Sequence, residues 1–243
     1  MKTKVCYRSI GALIAVPFLI LALYIDPLAL VYSFVLYMFI LICVTAGYHR
    51  LFSHAAYTTH KIWHWIFGLV GCISLNSSPA QWAMVHAAHH KYADTDKDPH
   101  ETTWRYYFRF RDRKDISADR ESIRLLRDPM HKFFLEHSFG ISLIYGILIT
   151  IFFNTWGLIF LYIVPVTMFL FITGFHTLYA HTDQGAQNRP WLEFLLPQAG
   201  EWLHQQHHIT PKRTPFPGGM DIGGMLIELI RTDDTRSTNR TSG

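Results

Sequence analysis

The chain is short of cysteine, short of charge and free of repeats, and each shortage narrows what it can be. Its 243 residues include three cysteines, Cys6, Cys43 and Cys72. They form no pair motif and two lie inside apolar blocks, so neither a disulfide framework nor thiolate metal ligation is expected. Charged residues make up 16% of the sequence against 50% hydrophobic. The mean hydropathy of +0.13 exceeds that of an ordinary soluble domain. The apolar residues also come in blocks, the pattern of an integral membrane protein. With no internal repeat or low-complexity tract, the length fits one domain spanning residues 1–243.

The blocks have an order. Lys2, Lys4 and Arg8 precede an apolar run at 10–25. No small-x-small cleavage site follows it, so it is read as a retained span rather than a signal peptide. Asp26-Pro27 makes a turn, and a second span occupies 28–47, enough at ~1.5 Å per residue to cross ~30 Å of hydrocarbon. Residues 62–80 are apolar but interrupted by Gly68, Gly71, Ser74 and Asn76. They are read as an interfacial segment with Trp63 and Trp65 as anchors. Residues 91–137 turn polar, with a basic stretch at 105–114 and a short surface helix near 116–126. Spans at 136–153 and 158–177 form a hairpin about Asn154-Thr155-Trp156-Gly157, and 181–243 is soluble in character, with one short apolar helix at 225–230.

The turns at 26–28 and 154–157 contain no Lys or Arg, so all 22 basic residues fall on the other side of the membrane. By the positive-inside rule that side is cytoplasmic and holds both termini. The expected architecture is therefore an all-α integral membrane protein with four transmembrane helices. A cytoplasmic helical cap, 81–135 and 181–243, would hold a histidine-rich di-metal site.

Eight of the 15 histidines sit in three clusters: His49 and His54, then His86, His89 and His90, then His204, His207 and His208. In each H-x-x-H-H cluster the positions i, i+3 and i+4 share a helix face, so each can present three imidazoles to one point. His49 and His54 are about 140° out of phase on an ideal helix. They converge only if the helix ends between them. Imidazole suits zinc, copper, iron and nickel alike, but so many ligands exceed one ion's capacity and indicate two. Thiolates and most carboxylates are missing from the clusters, which argues against iron–sulfur or carboxylate-bridged sites. An all-imidazole pair beside a bilayer fits non-haem iron handling O2 on a hydrophobic substrate.

From about 45 to 230 the chain resembles the membrane fatty acid desaturases of the acyl-CoA and stearoyl-CoA type. The motifs are His49-Arg50-Leu51-Phe52-Ser53-His54, Trp82 four residues before His86-Ala87-Ala88-His89-His90, Asp98-Pro99-His100, and Gly200-Glu201 before His204-Gln205-Gln206-His207-His208. The resemblance implies a di-iron centre with nine histidine ligands, the ninth at the cytoplasmic end of the fourth span: His181, with His176 as the alternative. It implies O2-dependent insertion of a cis double bond, of the delta-9 type, into the acyl chain of a lipid thioester or lipid. Trp82 is the candidate tunnel-wall residue, and Asp98, His100, Glu201 and Thr177 stand in supporting positions around the ligands.

Two departures from the family pattern bear on function. Thr177 replaces the asparagine that holds an iron-bound water four residues before the ninth histidine. Met84, Val85 and Ala87 stand where relatives using coenzyme A carry charges, which leaves a phospholipid or an acyl-carrier protein open as the carrier. Phe216-Pro217-Gly218-Gly219 lacks the histidine of a haem-binding motif, so a separate donor of the ferredoxin or cytochrome b5 type is implied. The other partners are the bilayer and the fatty acyl substrate, with no nucleic acid. The rival readings are a di-iron hydroxylase of acyl chains or lipids and, from another class, a non-catalytic metal-binding membrane protein.

Overall fold

The computed structural model describes residues 24–100 and 116–232, with Pro17 and Ile20, and most of this is helix. The expected first span at 10–25 lies largely outside the described residues, and the basic stretch at 105–114 wholly so. Helix α1 (Ala29–Cys43) starts behind the Asp26-Pro27 turn, where Asp26 Oδ1 accepts the Ala29 N–H at 3.1 Å. It does not stop at residue 47. It winds on as a π-helix over Val44–Ser53, making a 25-residue apolar run.

Helix α2 (Lys61–Ile73) has 13 residues. At ~1.5 Å per residue it is roughly 20 Å long, short of the ~30 Å of hydrocarbon. It lies against the π stretch because Gly71 leaves room: a Cβ there would sit 2.1 Å from the Tyr48 ring. The expected single segment at 62–80 is in fact two elements. Leu75 and Ser77, both at φ 61°, turn the chain, and α3 (Pro79–Tyr92) begins from a capping box of Ser78 and Gln81 with Pro79 in the first turn. Of the two expected anchors, Trp65 is exposed while Trp63 packs on the core.

After the short α4 (Arg120–Leu125), capped by Asp119, comes α5 (Pro129–Gly157). It begins before residue 136 because Asp128 accepts the Met130 N–H at 2.9 Å and Pro129 suits a first helical position. The cap's expected 81–135 boundary therefore cuts into this helix. The chain reverses at Asn154 (φ 54°, ψ −158°), passes through a π-helical stretch at Leu158–Ile163 and continues as α6 (Val164–Tyr179). The Tyr145 and Tyr162 rings, 5.3 Å apart, mark the two arms as a hairpin.

A two-residue hairpin follows, β1 (His181–Thr182) and β2 (Gly185–Ala186), with His181 opposite Ala186. It is a small β element in a mostly helical structure: Gly185, at φ +89°, closes a turn too tight for helix. A 3-10 turn (Pro190–Phe194), α7 (His204–Ile209) and α8 (Ile222–Ile230) complete the tail.

Helices α1 and α6 run side by side. Ser33 Oγ donates to the Phe160 carbonyl at 2.6 Å, and Trp156 Nε1 donates to Asp26 Oδ2 at 3.1 Å. The two turns lacking basic residues therefore adjoin at one end. The main core joins Tyr37 and Leu41 of α1, Phe67 of α2, Phe169 of α6 and Ile227 of α8. The runs Ala29–Ser53 and Pro129–Tyr179 are both long and apolar enough to cross a membrane. Apolar side chains stay exposed along them, among them Val31 and Val35 on α1 and Ile144, Ile151 and Phe152 on α5.

Candidate metal centre

At the end of α1 and α6 opposite the two turns, eleven side chains approach one another. His49, His54, His86, His90 and His207 form one group able to hold a metal ion; His89, His181, His204 and His208 form a second. His100 and Asp98 gather around His89 in a third, overlapping set. All nine residues expected as ligands thus fall in the first two groups. His176 joins neither, and its Nε2 faces the Glu201 carbonyl oxygen at 2.8 Å.

The histidine boxes do not each serve one point. In α3, His86 and His90 (i and i+4) face the first group while His89 (i+3) faces the second. In α7 the split is the mirror of this: His204 and His208 join the second group and His207 the first. On a helix the i+3 and i+4 positions stand about 100° apart, so one helix between two sites can feed both. The π stretch settles the first box: hydrogen bonds from i to i+5 bring residues five apart together. His49 and His54, the latter capping the helix end, have ring centroids 5.2 Å apart.

In the first group, His207 Nε2 lies 2.9 Å from His49 Nε2 and 2.7 Å from His90 Nε2. His86 Nε2 lies 3.0 Å from His90 Nε2 and 2.8 Å from His54 Nε2. In the second, His204 Nε2 is 2.8 Å from His181 Nε2 and 3.1 Å from His208 Nε2. An imidazole nitrogen carries one hydrogen or one lone pair, so no pattern of hydrogen bonds satisfies such a chain of contacts. Nitrogens about 2.1 Å from one ion and at right angles stand about 3 Å apart, so these spacings suit donors that share a cation. Two iron ions fit this donor set. Imidazole ligation fits zinc and copper as well.

Electrostatics point the same way. Burial, helped by repulsion from neighbouring imidazoles, holds His54, His86, His204 and His207 well below the ordinary value of 6.5. The same causes push His90 and His208 down to about 2. These rings are neutral near pH 7 and keep a lone pair free for a metal.

Carboxylates stand behind the rings. His89 Nδ1 is 3.0 Å from both Asp98 oxygens, His181 Nδ1 is 3.0 Å from Asp94 Oδ1, and His49 Nδ1 is 2.7 Å from Glu201 Oε2. Each pair fixes the ring's Nδ1 proton and turns Nε2 inward, as supporting carboxylates do around metal-bound histidines. Burial pushes the Glu201 carboxyl up to about 7 against the pull of Arg50. Arg50, fully buried, donates from Nη1 to Asp221 Oδ2 at 2.8 Å, with Nη2 3.7 Å from Glu201 Oε1.

Sequence reasoning missed Asp94, Arg50 and Asp221 as parts of this site. Asp94 was legible in the acidic run that follows the second box, and Arg50 as a lone charge between two ligand-type histidines. Asp221 carried no sequence signal. Of the other expected residues, Trp82 stacks on His86 at 4.8 Å, and His100 lies 4.3 Å from His89, ring to ring. Thr177 Oγ1 donates to the Thr173 carbonyl at 3.0 Å. A cavity beside both groups has apolar lining from Trp82, Leu41, Val44 and Phe169 and polar lining from Thr173, Thr177 and Gln198.

No family model matches the chain. Among curated proteins, a Delta(9)-fatty-acid desaturase of Caenorhabditis elegans is 42% identical over 78 residues, 32% of this chain and 23% of that protein. The sn-1 stearoyl-lipid 9-desaturase of Anabaena variabilis is 26% identical over 179 residues, 68% of this chain and 65% of that protein. Stearoyl-CoA desaturase 5 of Homo sapiens is 32% identical over 82 residues, 34% of this chain and 25% of that protein. The chain spans under two thirds of the length of each of these relatives. The chain is thus similar to fatty acid desaturases over stretches that cover from 32% to 68% of it.

Proposed function

We propose that the chain is an O2-dependent fatty acyl desaturase that inserts a cis double bond, of the delta-9 type, into an acyl chain carried as a thioester or lipid. The carrying observation is the pair of imidazole groups, with Nε2 atoms 2.7 to 3.1 Å apart. The relatives' names, which specify fatty-acid, stearoyl-lipid and stearoyl-CoA substrates, support the same direction.

His49, His54, His86, His90 and His207 would hold one iron, and His89, His181, His204 and His208 the other. Two bound irons supply the activation of O2 with two external electrons, enough to oxidise an unactivated methylene pair. Overall, –CH2–CH2– with O2, two electrons and two protons becomes –CH=CH– and two waters. The protein's share is positional. Glu201, Asp98 and Asp94 keep the Nδ1 protons in place, so the Nε2 lone pairs stay turned inward. Trp82, Leu41, Val44 and Phe169 offer an acyl chain an apolar wall and exclude bulk water.

The run from Ala29 to Ser53 and the two arms of the α5–α6 hairpin would cross the membrane three times, and the 10–25 segment a fourth. This reading rests on the adjoining turns at 26–28 and 154–157, which hold no basic residue, and on the positive-inside rule. It places the metal centre and both termini in the cytoplasm, within reach of a soluble or membrane-bound electron donor.

The test is expression in a host lacking unsaturated lipids, followed by mass spectrometry of its acyl chains. New chains lighter by two hydrogens, with double bonds at one position, are the expected product. Chains gaining an oxygen would make the protein a hydroxylase. Zinc alone in the purified protein, with no product after iron loading, would sink the enzyme reading.

A further inference from the structure

The tail beyond β2 reads as soluble in sequence, yet part of it sits far down α1. The Tyr37 hydroxyl donates to the Pro197 carbonyl. Tyr37 stands two helical turns past Ala29 and roughly 18 Å along the axis short of His49, at ~1.5 Å per residue. A second observation agrees. Ala199 and Ile227 belong to the same apolar core as Tyr37 and Leu41. The tail therefore descends beside α1 to a level that the crossing helices place within hydrocarbon.

At that level the outward side chains around 191–195 are apolar. In and just after the 3-10 turn, Trp191, Phe194 and Leu195 are 58%, 78% and 69% exposed, while Leu192 and Glu193 are buried against the protein. Trp191 and Phe194, three apart in the 3-10 turn, share a face, and Leu195 follows it exposed. Helix α8 lies nearer the metal-centre end: Gly223 packs on Thr45, Thr59 Oγ1 donates to the Ile230 carbonyl at 2.7 Å, and the exposed Glu228 pairs with Arg231. The two elements adjoin, since a Cβ on Gly219, just before α8, would sit 3.0 Å from Pro190. Between 190 and 198 the one charged residue, Glu193, faces inward. Arg189, immediately before the turn, is placed for the headgroup layer.

We propose that residues 190–196 dip into the bilayer beside α1 and form a monotopic membrane anchor, seating the metal-binding part of the chain against the lipid surface. The occupant is lipid hydrocarbon, because the patch continues at the same depth as the exposed apolar face of α1 (Val31, Val35, Phe39). The proposal rests on the reading that α1 and the α5–α6 hairpin cross the membrane. It changes the nature of the tail, from a cap held clear of the bilayer to one partly immersed in it.

The test uses the full chain in lipid nanodiscs with a single nitroxide label on a Cys6→Ser background, Cys43 and Cys72 being buried. Labels go at Phe194→Cys and, separately, Leu195→Cys, with Ile147→Cys on the exposed face of α5 as the lipid reference and Lys212→Cys as the water reference. The ratio of collision rates with O2 and with a water-soluble nickel chelate is read by EPR. The expected ratios at 194 and 195 exceed that at 212 several-fold and approach that at 147. A ratio at 194 and 195 equal to that at 212, with 147 high, overturns the anchor and leaves the spanning helices intact. A low ratio at 147 overturns the spanning reading itself, and the anchor with it. Retained metal content verifies that each labelled chain is folded. If Phe194→Cys fails this check, Leu195→Cys reports the same depth.

Discussion

The five-histidine group leans on a single carboxylate, Glu201 behind His49, whereas the four-histidine group leans on two, Asp98 behind His89 and Asp94 behind His181. The first draws on the π stretch, α3 and α7; the second on α3, β1 and α7. A carboxylate on Nδ1 makes the opposite nitrogen a better donor and locks the ring in place. The smaller group thus has fewer imidazoles but more anionic support per imidazole. His204 and His207 have buried Nδ1 atoms with no hydrogen-bond partner among the described residues, so in each group at least one ring is held by packing alone.

The largest effect expected from breaking this comparison is at the ligands. His207→Ala removes the ring whose Nε2 touches both His49 and His90. Metal analysis of the purified variant should find about one ion per chain where the parent holds about two, with product reduced by more than ~100-fold, beyond the cost of losing a supporting residue. His208→Ala should show the same deficit in the other group. Unchanged metal content in either variant would remove that residue from the ligand set.

Next come the carboxylates. Asp98→Asn should weaken the four-histidine ion, and Glu201→Gln the five-histidine ion, each by about 10–100-fold. A competing-chelator titration that resolves two ions per chain checks this. Asp94→Asn should fall at the lower end of that range, since the Asp94 side chain is 32% exposed and water screens it. Equal weakening of both ions by every variant would mean that the groups are one coupled site.

The metal-free protein should also lose stability as pH falls below 6.5. The unfolded histidines take up protons there, while His90 and His208, pushed down to about 2, do not. Because the unfolded state binds more protons, each such residue costs up to about 1.4 kcal/mol per pH unit between 6.5 and the folded value. Melting of the apo protein at pH 7.5 and 5.5 should show the lower pH less stable. An equal or higher melting temperature at pH 5.5 contradicts the assignment of neutral buried rings.

The smallest effect is in α3, which feeds both groups. Ser78→Ala removes the capping hydroxyl and should cost about 1 kcal/mol of stability. Both ions should remain at full occupancy with equally reduced thermal stability. Selective loss of one would show that α3 is not a shared rigid support.

Much of this site was legible in the residues. The H-x-x-H-H spacing marks histidines that gather on adjoining faces of one helix, though not that they part between two groups, and the basic-free turns mark one end of the helices because charge distribution records it. Supporting residues were less legible. Asp98 and Glu201 came through motif context, but Asp221 meets Arg50 only because the chain from Phe216 to α8 folds back on the π stretch. A one-dimensional pattern carries no sign of such a contact. The early start of α5 was readable in Asp128-Pro129, but the polar residues after it obscured the signal. The π winding of Val44–Ser53 was not readable, since an apolar run gives the same sequence pattern in either winding.

By itself the sequence determined which histidines gather and which helices are apolar enough to span a bilayer, because both follow from local spacing and composition. The tertiary structure alone decided how the histidines divide. It sends His89 to one group and His86 and His90 to the other, and reverses that division in α7. Whether a helix feeds one point or two depends on what packs on either side of it, and that is set by contacts between segments far apart in the chain.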